Sequence, residues 1–158
     1  AKLMRAVITR VKRASVEIGG AVCGRIGQGL LILLAVAPTD TQAQTEKMAD
    51  KALGLRIFSD ENGKMNRSLA DVGGGVLVVS QFTLFADCRK GKRPYFIGAA
   101  EPELANALYE RFLEACRVRG FAPQHGRFGA DMLVASENDG PVTILLDTDE
   151  LMKGGDGA

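Results

Sequence analysis

"GLLILLAVA", residues 29–37, is the most informative stretch for the architecture, because every position after its leading glycine is apolar. A strand with one exposed face alternates apolar and polar side chains, whereas a strand covered on both faces is apolar throughout. The run is also far shorter than the roughly 20 apolar residues that a membrane-spanning helix needs. We therefore predict a central strand here, with other parts of the chain packed against both of its faces.

The residues before this strand predict antiparallel partners for it. Residues 4–11 and 15–18 favour strand structure, and Gly19 and Gly20 stand where a tight hairpin places its turn. Two or three antiparallel strands are therefore expected in this part of the chain.

Two helices are predicted after the central strand. Thr39 or Asp40 can cap the first helix, whose apolar residues recur at intervals of three and four. These residues are Met48, Ala49, Ala52, Leu53 and Ile57. The second helix is predicted from Pro102 to about Arg119, and Gly120 ends it. Its apolar stripe consists of Leu104, Leu108, Phe112 and Leu113.

"VGGGVLVVSQFTLFAD", residues 72–87, predicts a glycine turn and then a second apolar strand from Val76. The glycines precede a strand instead of opening a helix, and no Gly-Lys-Ser or Gly-Lys-Thr follows, so a phosphate-binding loop is not indicated. Ser80 and Gln81 interrupt the strand, after which the apolar pattern resumes. These polar side chains need partners, because a buried unpaired hydroxyl or amide costs about 1–3 kcal/mol.

The order of elements predicts one α/β domain over residues 1–158, with mixed β-sheets and two main helices packed on one side. "SDENGK", residues 59–64, reads as a loop, and residues 142–147 as the final strand. Residues 1–3 precede Met4, a plausible start, and are expected to be a remnant or a processing scar. Residues 151–158 are expected to form a flexible tail.

Composition excludes several kinds of site. The net charge is only +1, so no general attraction to nucleic acid is indicated, and a DNA partner is not expected. The three cysteines are widely spaced and His125 is the sole histidine, so we expect no metal and no cofactor. Unpaired cysteines and the lack of a membrane-length apolar run favour a cytoplasmic protein without a membrane partner.

The polar positions in "SQFTLF", residues 80–85, have two interpretations. Ser80, Gln81 and Thr83 could simply bond neighbouring strands or loop backbone. Alternatively they line a pocket at the strand end, where the backbone N–H groups of Phe82 and Thr83 face a developing oxyanion. A nucleophilic Thr83 would need a base, none lies nearby in sequence, and His125 reads as a surface residue of a loop.

Two further segments also allow a structural and a functional interpretation. "CRKGKRP", residues 88–94, is either a solvated basic loop or a set of cations at the mouth of a pocket that takes the end of a polyanion. "SENDGPVTILLD", residues 136–147, places Gly140 and Pro141 before an apolar run. That pair is either an ordinary turn or a cis bend that directs backbone carbonyls toward a ligand.

Taken together, "SQFTL" at 80–84 and "NDGPVT" at 138–143 resemble the paired signature of the D-aminoacyl-tRNA deacylase family, also called D-Tyr-tRNA(Tyr) deacylase. The similarity extends from Met4 to about Thr148. It includes "FSDENGKMNRSL", "KGKRP" and "GRFGADM". The resemblance implies the barrel-like fold of that family. It also implies an enzyme that hydrolyses the ester of D-aminoacyl-tRNA and of glycine misattached to tRNA(Ala).

The resemblance further implies a homodimer in which a cis Gly140–Pro141 bond enters the partner's site and rejects L-aminoacyl groups. The site residues that it implies fall into three groups. The catalytic group is Ser80, Gln81, Phe82 and Thr83; the substrate-binding group is Gly140, Pro141, Asn138, Met132 and Phe128; the tRNA-binding group is Lys90 and Arg93. We prefer proton transfer through the substrate's ribose hydroxyl or a water to a Thr83 nucleophile. The alternatives are a non-catalytic module that binds tRNA ends or nucleotides, and a hydrolase of small esters.

Overall fold

Eight strands, three α-helices and one 3-10 helix are formed within residues 2–153, the part of the chain that the computed structural model describes. In chain order they are β1 (Arg5–Ile18), β2 (Ala21–Ile26), β3 (Gly29–Ala35), α1 (Gln42–Gly54), β4 (Phe58–Ser59), β5 (Met65–Arg67), β6 (Gly75–Ser80), the 3-10 helix (Phe82–Phe85), α2 (Pro102–Val118), β7 (Gln124–His125), β8 (Leu133–Asp147) and α3 (Thr148–Leu151).

The main sheet has the order β2-β1-β3-β6-β7, and β8 also pairs with β1. The long β1 bends between two partners, since residues 5–11 pair with β3 and residues 14–18 pair with β2. β3, β6 and β7 run parallel to one another. β2 then approaches β7 so closely that a Cβ added to Gly24 would lie 2.9 Å from the backbone oxygen of His125. The sheet is therefore mixed and nearly closed into a barrel, which confirms the predicted fold class.

Both faces of β3 are covered, as the apolar run at residues 29–37 predicts. Leu30 and Ile32 belong to the large core cluster that includes residues of α1 and α2. Leu31 instead packs with Leu77 and Val79 in a second core cluster inside the barrel. The alternation of strand side chains between two faces assigns neighbouring residues of one strand to these two cores.

The predicted helices and hairpin are present, with two corrections. α1 ends at Gly54, so Ile57, which was predicted in its apolar stripe, lies beyond the helix. The other correction concerns the cap. Thr41 caps α1, because its hydroxyl accepts a hydrogen bond from the backbone N–H of Ala43 at 3.2 Å. The prediction of Thr39 or Asp40 as the cap is wrong. The Asp40 carboxylate instead accepts from the N–H groups of Met4 and Ala37, at 2.9 and 2.7 Å. Burial raises the pKa of Asp40 above its usual value.

The prediction that the strand resumes after the polar residues Ser80 and Gln81 is also wrong. The backbone N–H of Gln81 donates to the carbonyl of Leu34 at 2.8 Å, close to the end of β3. Beyond that point β6 has no neighbour with which to continue the sheet, and residues 82–85 form a 3-10 helix. The end of β3, which lies far away in sequence, therefore determines where β6 ends.

Residues near both ends of the described chain contact the fold. Within residues 1–3, the N–H of Leu3 donates to Asp149 at 3.1 Å, so this residue contacts the fold. Leu151 ends α3 and packs against the large core, so a tail does not begin there. Residue 1 and residues 154–158 of the predicted remnant and tail lie outside the described residues.

The final strand is longer than predicted, because β8 runs antiparallel to β1 over most of its length. Thr9 pairs with Thr143 and Val11 pairs with Asn138. Two steps along β1 therefore correspond to five along β8, and residues 139–142 form a bulge. Gly140 and Pro141 lie within this bulge, so they are not a turn in front of a strand.

Candidate active site

A cavity of about 630 Å³ opens at the carboxyl end of β6. Parallel β3 and β6 end side by side here, and the carboxyl ends of such strands are where α/β sheets most often bind ligands. Its walls come from three parts of the chain. They are the end of β6 with the first residue of the 3-10 helix, the segment from Phe96 to Ala105, and the segment from Phe128 to Val134.

Four residues proposed from the sequence for catalysis lie at or beside this cavity. Ser80, Gln81 and Phe82 line it, and Thr83 follows in the 3-10 helix. The Gln81 side chain donates to the Thr83 hydroxyl at 2.5 Å. Within residues 2–153 the Ser80 hydroxyl has no hydrogen-bond partner, so only part of this polar set bonds to its own neighbours.

Two backbone donors at the same place also lack acceptors. Within the described chain, the N–H groups of Phe82 and Thr83 donate to no carbonyl or side chain, whereas Leu84 N–H reaches the Gln81 carbonyl at 3.2 Å. The first N–H groups of any helix lack partners inside the helix. Such donors next to a cavity can bind an oxygen that carries negative charge.

Apolar groups enclose these polar ones. The Phe82 ring, 52% exposed, meets the Phe96 ring edge to face with centroids 5.1 Å apart. Phe128 and Met132, which the resemblance implies for substrate binding, line the opposite wall. The Phe128 ring lies 6.2 Å from that of Tyr109 in α2. The cavity thus offers an apolar enclosure with a few polar groups at one end, as small-molecule sites do.

Two carboxylates in the lining were missed by the sequence analysis. Glu101 precedes Pro102 at the start of α2, and Asp131 belongs to the "GRFGADM" segment. Asp131 could have been proposed, because it lies beside Met132 in a motif that already carried the resemblance. Glu101 gave no signal beyond its place at a helix start.

The bulge in β8 carries the remaining substrate-binding residues of the prediction, and it does not line the cavity of its own chain. The Gly140–Pro141 bond is cis, and Gly140 has a φ of +136°. Both residues are exposed. Asn138 stabilises the bulge from within, since its side chain accepts from Val142 N–H at 2.9 Å and donates to Thr143 at 3.0 Å.

Arg10 supports the bulge from below. The residue is only 9% exposed, its Nε donates to the Asp139 carbonyl at 2.8 Å, and its Nη1 donates to the Ile57 carbonyl at 2.6 Å. One buried guanidinium therefore ties the bulge to the segment that follows α1. Arg10 gives no signal in the sequence, because its partners are set by the pairing of β1 with β8.

The basic loop lies next to the cavity. A backbone bridge between Asp87 and Tyr95, with N–O distances of 2.7 and 2.9 Å, closes its base. The Arg89 guanidinium binds the Asp87 carboxylate, which lowers the pKa of that carboxyl to about 2. Lys90 and Arg93, proposed to bind tRNA, are exposed and form no ion pair within residues 2–153.

Within the described part of the chain the Thr83 hydroxyl is hydrogen-bonded to the Gln81 side chain and to no histidine or carboxylate that could act as its base. His125 lies in β7, outside the cavity lining, with its Nδ1 2.7 Å from the backbone oxygen of Gly126. Among residues 2–153 no three His, Cys, Asp or Glu side chains are grouped to hold a metal ion. The same residues contain no helix of the length and apolar character that crossing a membrane requires.

Comparison with known proteins decides the family. The family model described as D-Tyr-tRNA(Tyr) deacylase matches residues 7–147. The chain belongs to the D-Tyr-tRNA(Tyr) deacylase family. A D-aminoacyl-tRNA deacylase of Desulfatibacillum aliphaticivorans is 55% identical over 92% of this chain and 99% of its own. One from Chloroflexus aurantiacus is 57% identical over 94% of this chain and 92% of its own. The predicted family and enzyme class, D-aminoacyl-tRNA deacylase, are confirmed.

Solved structures agree on the deacylase-family fold. The structure described as a c-Myc DNA unwinding element binding protein superposes with a TM-score of 0.85 and 44% identity, over 90% of this chain and 97% of its own. A probable eukaryotic D-amino acid tRNA deacylase superposes with a TM-score of 0.80 at 18% identity, over 91% of this chain and 98% of its own. The second likeness concerns the fold alone.

Proposed function

We propose that this protein hydrolyses the ester bond of D-aminoacyl-tRNA, and of glycyl-tRNA formed on tRNA(Ala), and that it rejects L-aminoacyl-tRNA. The observation that carries the proposal is the pair of N–H groups of Phe82 and Thr83, which have no acceptor within residues 2–153 and lie beside an apolar cavity. An ester carbonyl needs such donors when its oxygen becomes negatively charged. Action on tRNA would also support a cytoplasmic location.

In the proposed reaction, a water attacks the ester carbonyl carbon and the carbonyl oxygen becomes an oxyanion. The N–H groups of Phe82 and Thr83 donate to that oxygen, and each donor is worth about 2.7–4 kcal/mol in the transition state. The bond to the ribose oxygen then breaks, and that oxygen takes a proton. Free amino acid and tRNA are released.

The proton steps are assigned to the substrate and to water. The Thr83 hydroxyl has the Gln81 side chain as its partner, and a serine or threonine nucleophile needs an adjacent base. The neighbouring ribose hydroxyl or a bound water can accept the proton of the attacking water. Ser80 and Gln81 would then orient the ester and the terminal adenosine instead of forming a covalent intermediate.

Selection against L-amino acids is assigned to the bulge of a second copy of the chain. Gly140 and Pro141 are exposed and lie outside the cavity of their own chain, so only another copy can bring them to it. In a homodimer of this kind their carbonyls would accept from the α-amino group of the substrate. An L side chain would point into this backbone wall, whereas a D side chain would point away, so rejection needs no side-chain recognition.

The test uses four substrates in parallel: D-Tyr-tRNA, L-Tyr-tRNA, Gly-tRNA(Ala) and a D-tyrosyl ester without RNA. Cleavage of the D-Tyr and glycyl esters on tRNA, with the L ester intact, is the expected result. Binding of tRNA without cleavage of any ester would instead indicate a non-catalytic module for tRNA ends. Equal cleavage of the free ester would indicate a hydrolase of small esters.

A further inference from the structure

A second cavity, of about 660 Å³, lies beside the proposed active site. Its lining includes the aromatic and aliphatic side chains of Phe85, Tyr95 and Ile97, together with Cys88, Arg89 and Lys90 of the basic loop. Nothing in the proposed reaction uses this cavity.

The same two segments of the chain contribute residues to both cavities. The 3-10 helix contributes Phe82 to the active-site cavity and Phe85 to the second one. Between the basic loop and α2, Phe96 faces the first cavity, whereas Tyr95 and Ile97 on either side of it face the second. The two cavities are therefore adjacent, and a single chain molecule whose end occupies the first can extend over the segment between them toward the second.

Large apolar side chains are exposed in the second cavity. Ile97 is 89% exposed and Tyr95 is 54% exposed. The Tyr95 backbone is fixed by its bridge to Asp87, so the ring is presented from an anchored position. An exposed aromatic ring held in this way offers a surface on which a flat ring of a ligand can stack.

The charge around this apolar surface is positive. Lys90, Lys92 and Arg93 form no ion pair within the described residues, while Arg89 neutralises the nearby Asp87. Cationic side chains beside an exposed aromatic ring are the combination by which proteins bind single-stranded nucleic acid. A neutral or basic peptide would not be complementary to this charge.

We propose that the second cavity binds the unpaired nucleotides that precede the 3′-terminal nucleotide of tRNA. One base stacks on Tyr95 beside Ile97, and Lys90, Lys92 and Arg93 contact the phosphates. The inference rests on the proposed function, because it requires the aminoacylated terminal nucleotide to occupy the first cavity. A paired stem does not fit the stacking surface, since its bases have no free faces.

The first test compares substrates of different length. D-tyrosyl-adenosine ester can fill only the first cavity, whereas D-Tyr-tRNA extends into the second. Replacing Tyr95 by Ala should raise KM for D-Tyr-tRNA at least about fivefold, the lower end of the range for loss of one stacked base, and leave the adenosine ester unaffected. Tyr95→Phe keeps the ring and should restore the KM for D-Tyr-tRNA.

Two results of this test would overturn the proposal. One is an unchanged KM for D-Tyr-tRNA in Tyr95→Ala. The other is an equal change with both substrates, since that would place the effect of Tyr95 in the first cavity. If the wild type cleaves neither ester, the proposed function fails, and the second cavity is then tested by binding of uncharged tRNA.

The binding test separates phosphate contacts from stacking. Lys90→Ala should reduce the slope of log affinity against log salt by about 0.7, the value for one phosphate contact to a single strand. Tyr95→Ala should weaken binding of uncharged tRNA without changing that slope. Lys64→Ala, in the turn between β4 and β5, makes the same charge change away from the cavity and should leave affinity and slope unchanged. Equal slopes for Lys64→Ala and Lys90→Ala would contradict the phosphate contact.

A chemical footprint provides a readout that does not depend on hydrolysis. Cys88 lines the second cavity and is exposed, as is Cys23 elsewhere, whereas Cys116 is buried. In a Cys23→Ser background, uncharged tRNA should slow alkylation of Cys88 by iodoacetamide. A tRNA trimmed of its unpaired 3′ nucleotides should not protect it. Equal protection by both RNAs would refute the assignment of the cavity to those nucleotides.

Discussion

A strand pattern is interrupted at two places, at the end of β6 and at the bulge in β8. The two places differ in whether their polar groups have hydrogen-bond partners. At the end of β6 the backbone turns away and leaves the N–H groups of Phe82 and Thr83 unpartnered beside a cavity. In the bulge, Asn138 and Arg10 satisfy the surrounding groups and hold Gly140 outward. The end of β6 therefore forms part of a concave surface with free N–H donors. The bulge in β8 forms a projection whose polar groups are bonded within the chain.

The difference follows from the neighbouring strands. β6 stops because its partner β3 stops, so the residues that follow Ser80 have no neighbouring strand with which to pair. β8 resumes after its bulge because β1 continues on both sides of it. Free N–H donors next to a cavity can bind an oxygen that becomes negatively charged during a reaction. A projection held by its own hydrogen bonds can act as a rigid steric wall.

The largest effect is expected from removing a donor at the end of β6. Phe82→Pro and Phe82→Ala both remove the aromatic ring, but only Phe82→Pro also removes the backbone N–H. Proline is tolerated at the first position of a helix, which Phe82 occupies in the 3-10 helix. Single-turnover hydrolysis of D-Tyr-tRNA by Phe82→Pro should be about 10²–10³-fold slower than by Phe82→Ala.

Equal rates for the two Phe82 variants would show that this N–H does not bind the oxyanion. Thermal melting serves as the control, because both variants should unfold at similar temperatures. A large difference in melting would mean that the proline disturbs the fold rather than the reaction.

The next effect is expected in the bulge. A Cβ added to Gly140, at its φ of +136°, would lie 2.8 Å from the Val142 side chain and 3.0 Å from Arg10 Nη2. Gly140→Ala must therefore displace the projection. A displacement near 1 Å at a reacting site costs about 10²-fold in rate, so we expect that loss with D-Tyr-tRNA. Gly27→Ala, where a Cβ meets nothing within 4 Å, is the matched control. Full activity of Gly140→Ala would remove the bulge from the proposed site.

These residues also show how far the sequence alone could lead. The continuous apolar run at residues 29–37 and the spaced apolar residues of α1 and α2 are local signals, so the strand and both helices were predictable. The 3-10 helix was not, because it depends on where β3 ends. The cap of α1 was misassigned because Asp40 is engaged by Met4 from a distant part of the chain.

The candidate site was predictable to a similar degree. Ser80 and Gln81 stood out because polar residues interrupt an apolar run. Glu101 and Asp131 did not, because their position in the cavity lining arises only when three distant segments meet. The support of the bulge by Arg10 depends in the same way on the register between β1 and β8.

A moderate loss of stability is expected when the support of the bulge is removed. Arg10→Met keeps a long side chain but leaves the carbonyls of Asp139 and Ile57 without their donors. A buried polar group left unpaired costs about 1–3 kcal/mol, so the free energy of unfolding in urea should fall by about that amount. The slope of this free energy against urea concentration should stay unchanged, because unfolding exposes a similar surface area in both proteins. A variant as stable as the wild type would show that the bulge holds itself in place.

The smallest effect is expected from removing the Thr83 side chain, although Thr83 belongs to the "SQFTL" motif at residues 80–84. Thr83→Ala removes the hydroxyl but keeps the backbone N–H, so the oxyanion contact persists. Its only hydrogen-bond partner within the described residues is the Gln81 side chain, which is no base. Single-turnover hydrolysis of D-Tyr-tRNA should therefore fall less than about tenfold, well below the 10²–10³-fold loss of an oxyanion donor. A fall to the uncatalysed rate, with unchanged melting, would mean that Thr83 is a nucleophile. The end of β6 would then supply a reacting oxygen as well as donors, and the proton acceptor would have to be sought in the substrate or in the lining carboxylates Glu101 and Asp131.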